Sequence, residues 1–179
     1  MESEDGIELR FAVNYLAAYV LSRRLAPLLV ASAPARVVNV ASAGQAELDF
    51  DDVMLERRYN GSQAYCQSKL ALIMLTFDLA DELAGRGVTV NALHPGTYMP
   101  TKMVLAAGVT PHDALETGTD ATLRLVADPV LGGVTGRYFD RQAEASALGQ
   151  AYDTDARTRL RELSDILTSS GRPRPPARP

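Results

Sequence analysis

The chain has 179 residues, of which 46% are hydrophobic, so it can bury the core of one globular domain and is too short to predict two. Its formal net charge of -4 argues against nucleic-acid binding, because that binding depends on lysine and arginine side chains that neutralise phosphates. One cysteine and two histidines, at positions 94 and 112, exclude an internal disulfide and show no spacing typical of a metal site.

Membrane segments and targeting signals are not predicted either. A run of about 18 apolar residues, which could span a bilayer, does not occur, since Arg23 and Arg24 interrupt the apolar stretch in which they lie. Residues 1–5 are acidic and lack the basic and apolar segments of a signal peptide. We therefore expect a reduced, metal-free protein in the cytoplasm, with no membrane partner.

The first predicted element is a helix over residues 10–30, where apolar residues recur at helical spacing and Pro34 prevents continuation. Residues 35–42 are rich in valine and show no polar alternation, which is typical of a strand covered on both faces. The acidic and polar stretch of residues 45–62 is predicted to be irregular.

A second long helix is predicted over residues 62–83, ended by Gly85 and Gly87. Its apolar side is formed by Leu70, Ile73, Phe77 and Leu79. The elements predicted after it are a buried strand at 88–93, a loop, a helix at 111–127 ended by Asp128-Pro129, a strand at 135–139 and a helix at 154–167.

This alternation of helices and strands predicts the α/β class, with right-handed crossovers and a parallel sheet. The predicted globular domain covers residues 1–168. Residues 169–179 are rich in proline and arginine and offer almost no apolar side chains to bury, so we expect them to be a disordered tail.

The sharpest local motif is Tyr65-Cys-Gln-Ser-Lys69 at the start of the second long helix. A spacing of four puts the phenol and the ammonium on one helical face, with Cβ atoms about 5 to 6 Å apart. A tyrosine is a poor base at neutral pH, and a fixed cation nearby favours its phenolate form. Such a phenol can exchange a proton with a carbonyl or alcohol oxygen while hydride moves at the adjacent carbon. The same two residues can also be an ordinary exposed helical pair.

Three further features have a functional and a structural interpretation. Ser42 follows a predicted strand, and the carboxyl ends of parallel strands are where ligands bind, yet a lone serine before Gly44 is more often a turn residue. Asn14 lies inside a predicted helix, where its amide competes with backbone partners, although an asparagine there is usually only solvated. The segment Pro95-Gly96-Thr97, with Thr101 beyond it, allows close backbone approach to a ligand or forms an ordinary turn.

Taken in order, these motifs resemble the short-chain dehydrogenases/reductases. The resemblance rests on Phe-Ala-Val-Asn14-Tyr-Leu, on Val-Asn-Val-Ala-Ser42, on Ala-Tyr65-Cys-Gln-Ser-Lys69-Leu-Ala and on Val-Asn-Ala-Leu-His-Pro95-Gly-Thr, and it extends to about residue 167. The long excursion between Ser42 and Tyr65, including residues 48–52, is similar to the retinol dehydrogenase and protochlorophyllide reductase branch. That branch usually handles bulky apolar alcohols or carbonyls.

The resemblance implies a role for each matching residue. Tyr65 would be the general acid/base, and Lys69 would favour its phenolate and contact the nicotinamide ribose. Ser42 would orient the substrate oxygen, and Asn14 would hold a water in the proton relay. The segment with Pro95, Gly96, Thr97 and Thr101 would lie against the nicotinamide and pyrophosphate. The implied cofactor is NAD or NADP, and the implied substrate is a small-molecule alcohol or carbonyl compound.

Two family motifs do not occur in this sequence. The glycine-rich turn Thr-Gly-x-x-x-Gly-x-Gly, which holds the pyrophosphate, has no match, and neither does Asn-Asn-Ala-Gly. The resemblance therefore implies the C-terminal part of a Rossmann-type doubly wound parallel sheet, with about three strands and flanking helices. The strand at 35–41 would then expose an unpaired apolar edge, and we expect weak cofactor binding and no hydride transfer by these residues alone.

Two other functions are compatible with the sequence. The long helices at 10–30 and 62–83 commonly form a dimer interface in this family, so the chain could be a non-catalytic pairing module that forms a homo-oligomer or binds a full-length relative. An unrelated α/β binding domain would require all four motifs to occur in this order by accident.

Overall fold

A computed structural model describes residues 2–169 of the chain. The helices are α1 (Leu9–Phe11), α2 (Ala17–Ala31), α3 (Gly61–Glu82), α4 (Lys102–Ala106), α5 (Leu115–Ala127) and α6 (Thr154–Thr168). The strands are β1 (Ala35–Val40), β2 (Val88–His94), β3 (Arg137–Asp140) and β4 (Ala143–Ala145). All but the first residue of the tail predicted at 169–179 lies outside the described residues.

The four strands form one sheet in the order β1-β2-β3-β4. β1, β2 and β3 run parallel, and β4 pairs with β3 in the antiparallel direction. The predicted α/β class with a parallel sheet is thus confirmed, while β4 was not predicted. A two-residue turn joins β3 to β4 and places Arg141 at a φ of 53°. Such turns usually carry glycine or asparagine at positive φ, and Arg141-Gln142 contains neither, so this hairpin had no sequence signal.

The first long helix is continuous from Leu9 to Ala31, as predicted within one residue at each end. The carboxylate of Glu8 accepts the N–H of Phe11 and caps its start. Between α1 and α2, however, residues Ala12–Leu16 form a π-helical turn, which periodicity alone did not predict. Asn14 lies in the middle of this turn.

The α3 helix matches the predicted second helix closely. Asn60 caps it by accepting the N–H groups of Ser62 and Gln63, and Gly85 and Gly87 adopt positive φ just after its end. The predicted apolar side was too narrow, because α3 is enclosed by the sheet, by α2 and by α6. Buried positions therefore occur all around it, including Ala71, Leu72, Met74, Leu75 and Thr76.

The sheet has a core on each face. The larger core lies between the sheet and helices α1, α2, α3 and α6. The smaller core lies under α5 and consists of Leu93, Ala121, Leu125, Leu131 and Phe139. The helix predicted at 111–127 begins only at Leu115, because the N–H groups of His112 and Asp113 bond back to the carbonyls of Tyr98 and Thr97. The predicted loop before it contains the short helix α4.

The strand predicted at 35–42 is shorter and less buried than expected. β1 ends at Val40, most of its residues are half-buried, and the side chain of Val40 is 47% exposed. The reason is that, within residues 2–169, β1 pairs only with β2, which leaves its other edge open. The segment predicted to be irregular contains no helix or strand before Gly61, and it contributes Leu48 and Val53 to the larger core.

Candidate active site

The predicted catalytic side chains gather at the carboxyl end of β1. Tyr65 and Lys69 occupy successive turns of α3, and the Lys69 Nζ lies 5.8 Å from the centre of the Tyr65 ring. They therefore share one face of the helix, as their spacing predicts. Ser42 lies two residues beyond β1 and is buried.

Gly44 separates the serine from the tyrosine. A Cβ atom placed on Gly44 would lie 3.5 Å from the Ser42 Oγ and 3.6 Å from the Tyr65 Cε1, so both side chains border the same small space. The Gly44 N–H donates to the Ser42 Oγ at 3.0 Å. Ser42 is therefore a turn residue, which was the structural interpretation of this serine in the sequence. The bond uses the oxygen as an acceptor, so the hydroxyl proton of Ser42 can still be donated to another acceptor.

The ammonium of Lys69 is held by the main chain. Its Nζ donates to the carbonyl oxygen of Val40 at 2.9 Å, and among the described residues this is its one hydrogen bond. An ammonium has three N–H donors, so two remain for a ligand. The side chain is partly buried, and this burial lowers the pKa of Lys69 below its usual range.

Asn14 is brought against the same helix by the π-helical turn. Its Nδ2 donates to the Ser68 Oγ at 3.0 Å, and that hydroxyl donates to the carbonyl of Tyr65 at 2.7 Å. The Asn14 amide is therefore held against Ser68, the residue that precedes Lys69 in α3. π-Helical turns recur at functional sites, which agrees with a site role for Asn14.

The second predicted group lies at the carboxyl end of β2, in the turn that contains Pro95 and Gly96. The N–H of Thr97 donates to the Asp113 Oδ2 at 2.7 Å, and its hydroxyl is hydrogen-bonded with the His94 Nε2 at 3.1 Å. Thr101 caps α4 by accepting the N–H of Val104. The backbone N–H of Thr97 and the hydroxyl of Thr101 thus already have partners within the fold.

An ion pair that the sequence did not reveal anchors this turn. Arg141 donates to the Asp113 Oδ2 through Nη2 at 2.6 Å and Nε at 3.1 Å, and its own N–H donates to the His94 carbonyl at 2.7 Å. The Thr97 N–H and then the guanidinium lower the pKa of Asp113 to about 2. No periodicity or motif links positions 113 and 141, so a single sequence carries no signal for the pair.

Two more residues near these strand ends were missed. The Tyr138 hydroxyl donates to the carbonyl of Ser42 at 3.1 Å, and burial followed by the charge of Asp140 raises the pKa of Tyr138 to about 12. His94 is 4% exposed, its Nδ1 finds no partner within residues 2–169, and burial lowers its pKa. Tyr138 therefore stays protonated and fixes the loop that carries Ser42.

Residues 2–169 show neither a membrane-spanning helix nor a cluster of metal ligands. None of the helices there is both long and apolar enough to cross a bilayer. The same residues contain no group of three or more histidine, cysteine, aspartate or glutamate side chains arranged to hold a metal ion.

Comparison with known proteins identifies a family profile and relatives that match this chain. The sequence profile of the short chain dehydrogenase family matches residues 1–110. Human retinol dehydrogenase 14 is 36% identical over 181 residues, which cover 93% of this chain and 54% of that protein. Human retinol dehydrogenase 13 is 36% identical over 178 residues, which cover 88% of this chain and 53% of that protein.

A solved structure has the same fold. The crystal structure of an uncharacterized protein from Mycobacterium paratuberculosis superposes with a TM-score of 0.72 at 26% identity, over 94% of this chain and 62% of that one. The chain spans about half the length of the curated relatives it matches. From the profile match and these relatives, the chain belongs to the short chain dehydrogenase family, in its retinol dehydrogenase-like branch.

Proposed function

We propose that this chain contributes the proton-transfer side of a nicotinamide-dependent oxidoreductase that acts on an alcohol or carbonyl substrate. The observation that carries the proposal is that Ser42 and Tyr65 border one space at Gly44, just beyond β1, with the Lys69 Nζ 5.8 Å from the centre of the Tyr65 ring. Family membership supports the same chemistry. Because the chain covers about half of its relatives, the activity of a whole enzyme is part of the proposal.

The residues present fit the reacting end of a nicotinamide dinucleotide. Lys69 offers two N–H donors beside Tyr65, which suits ribose hydroxyl groups. The turn of Pro95, Gly96 and Thr97 would border the nicotinamide. The cofactor, NAD or NADP, would supply or accept the hydride. The adenosine end is not matched, since the sequence has no Thr-Gly-x-x-x-Gly-x-Gly turn.

The proton chemistry follows from the hydrogen bonds of these side chains. In the reducing direction, the Tyr65 hydroxyl donates its proton to the carbonyl oxygen of the substrate, and in the oxidising direction it takes the proton back. Ser42 accepts from Gly44, so its own proton is directed to the same substrate oxygen and orients it. The Lys69 Nζ lies 5.8 Å from the centre of the Tyr65 ring and keeps two N–H donors for a ligand.

An apolar substrate is the second part of the proposal. The relatives are named retinol dehydrogenases, and retinol is a bulky apolar alcohol. The segment after β2 also exposes several apolar side chains, namely Tyr98, Met103, Leu105 and Val109. These side chains would suit an apolar substrate that reaches the carboxyl ends of the strands.

We further propose that the 179 residues alone do not turn over substrate. The sequence has no match to the glycine-rich turn that holds the pyrophosphate. The test is turnover of retinal with NADH or NADPH by the purified chain, with and without the half of human retinol dehydrogenase 14 that it does not match. We expect no activity alone and measurable activity after addition.

The tyrosine variants test the chemistry itself. Tyr65→Phe should lower the restored turnover by roughly 100-fold or more, because it removes the proton donor. Tyr59→Phe, at an exposed tyrosine, is the matched control and should leave turnover unchanged. Turnover that survives Tyr65→Phe would contradict the proposed chemistry. If the added half restores no activity, the proposal that the two halves together form the active site is contradicted.

A non-catalytic pairing module is the alternative, and exposed leucines on α2 favour it. Leu21 and Leu28 are 59% and 62% exposed. The dimer interface expected from both long helices is less well supported, because the large apolar side chains of α3 are not exposed. Sedimentation velocity that detects only monomer, with or without a relative, would exclude this alternative.

A further inference from the structure

The loop that carries Ser42 is partly buried, although it forms no helix or strand before Gly61. Leu48, six residues beyond Ser42, belongs to the larger core. Backbone N–H and C=O groups that are withdrawn from water need hydrogen-bond partners. Within residues 2–169 no strand of the sheet pairs with this loop, so its buried backbone groups need partners of another kind.

Gln150 provides both partners of Leu48. Its Oε1 accepts the Leu48 N–H at 2.8 Å, and its Nε2 donates to the Leu48 carbonyl at 3.1 Å. One primary amide can do this because it has an acceptor on one side and donors on the other. The Gln150 side chain therefore takes the place that a neighbouring strand would have.

Gln45 makes a matching contact in the opposite direction. Its Oε1 accepts the Leu148 N–H at 2.9 Å, and its Nε2 donates to the carbonyl of Ser42 at 3.4 Å. The side chain of Gln45 thus connects Leu148 with the residue that carries the proposed site hydroxyl. We call Gln45 and Gln150 together the glutamine clasp.

The segment that the clasp binds is itself attached to α3. It includes a 3₁₀ turn (Gly149–Tyr152), and the ring of Tyr152 packs against the ring of Phe77 in α3 with centroids 5.2 Å apart. The same helix carries Tyr65. The clasp therefore joins the loop of Ser42 to the helix that holds the other half of the proposed site.

We propose that Gln45 and Gln150 are positioning residues, which hold Ser42 beside Tyr65 so that both hydroxyl groups reach one substrate oxygen. The two glutamines act through the loop, and the Tyr138 hydroxyl holds the Ser42 carbonyl from β3 as well. The clasp acts on the proposed active site, so the inference rests on the proposed function.

The single cysteine of the chain gives a reporter that does not depend on turnover. A Cβ atom placed on Gly44 would lie 3.5 Å from the Cys66 Sγ, as close as it would lie to the Ser42 Oγ. Displacement of the loop therefore uncovers the thiol. The reporter reaction is alkylation of Cys66 by iodoacetamide under mildly alkaline conditions, where the reactive thiolate is present.

The first experiment compares the alkylation rates of folded variants. Gln150→Leu should make alkylation of Cys66 about tenfold faster, because both hydrogen bonds to Leu48 are lost. Gln150→Glu keeps the acceptor and loses the donor, so its rate should lie between those of wild type and Gln150→Leu. Gln45→Leu should also raise the rate. Gln142→Leu, at an exposed glutamine of the β3–β4 turn, is the matched control and should react as wild type.

The second experiment separates positioning from a purely structural role. It uses the turnover of retinal that is restored by the added half of human retinol dehydrogenase 14. In Gln150→Leu, kcat should fall about tenfold while KM for retinal changes less than about twofold, because the substrate still binds but the Ser42 proton is displaced. Gln150→Glu should recover part of the lost kcat, and urea denaturation identifies the variants that remain folded.

The outcomes that overturn the proposal are distinct from those that overturn the proposed function. Folded Gln150→Leu and Gln45→Leu that alkylate at the wild-type rate show that the clasp does not hold the loop. Faster alkylation with an unchanged kcat shows that the clasp is structural and positions nothing in the site. If the added half restores no turnover to the wild-type chain, the proposed function fails, and with it the positioning role.

Discussion

Strands β1 and β2 are both valine-rich apolar runs, yet the fold treats them differently. In register, Val40 of β1 lies beside Leu93 of β2, and these side chains are 47% and 0% exposed. β2 has a strand on each side and a helix layer on each face, whereas β1 has one strand neighbour among the described residues. An apolar sequence thus indicates that a strand can be buried, but the elements packed around the strand determine how much of it is buried.

The turns that directly follow the two strands differ in the number of hydrogen bonds that hold them. The turn after β2 is pinned by Asp113, which accepts three hydrogen bonds from Thr97 and Arg141 on one oxygen. The turn after β1 has fewer anchors, mainly the bond from Gly44 to Ser42 and the bond from Tyr138. The turn directly after β1, at residues 42–44, is therefore held by fewer hydrogen bonds than the turn after β2.

The largest expected effect is on the free energy of unfolding, which should fall more when a side chain of β2 is truncated than when one of β1 is. Leu93→Ala should lower the free energy of unfolding by about 3 kcal/mol, because it empties space in a closed core. Val40→Ala should lower it by less than about 1 kcal/mol, because half of that side chain already contacts solvent. Urea denaturation measures both, and equal losses would remove the distinction between the strands.

The next effect concerns the turn after β2. Asp113→Asn weakens the acceptor of the Thr97 N–H, so amide exchange at Thr97 should become roughly tenfold faster. Asp120→Asn, at an exposed carboxylate on α5, is the matched control and should leave that rate unchanged. Hydrogen exchange followed by mass spectrometry or NMR reports the rate. An unchanged rate in Asp113→Asn would mean that the Asp113 carboxylate does not anchor this turn.

A smaller effect should appear with pH. In the fold, the pKa of Asp113 is lowered from 3.8 to about 2, so its ion pair stabilises the fold fully above its ordinary pKa. That contribution is lost as the pH falls through about 2. Unfolding free energies of wild type and Asp113→Asn should therefore converge between pH 4 and 2. Curves that stay parallel over this interval would argue against the shifted pKa.

The smallest effect on stability, and the most local one, is expected at Gly44. An alanine Cβ there would meet Ser42 and Tyr65 at ordinary contact distances, so Gly44→Ala should change stability by no more than about 0.5 kcal/mol. The added methyl group fills the space between the two side chains. Turnover restored by the added half should fall while the unfolding curve does not move. If turnover and stability fall together in Gly44→Ala, Gly44 is needed for the fold and not specifically for the site.

The sequence predicted those parts of the fold that depend on local patterns. The two long helices, the three parallel strands and the shared face of Tyr65 and Lys69 follow from spacing alone, and the structure has them. Features that depend on tertiary neighbours were not predictable: the pairing of Asp113 with Arg141 and the burial of α3 on all sides. Such features arise from residues far apart in the chain, and neither periodicity nor propensity records them.

The π-helical turn at Ala12–Leu16 also affects how the aromatic side chains of the first helix line up. Phe11, Tyr15 and Tyr19 recur every four residues, and their rings pack at a tilt with centroid distances of 4.9 and 6.1 Å. In a regular α-helix a step of four residues rotates by about 400°, so such an aromatic ladder drifts around the axis. The wider turn reduces this drift and acts as a spacer. Removing one residue there would therefore break the ladder and the contact of Asn14 with Ser68 together, although no buried side chain had been changed.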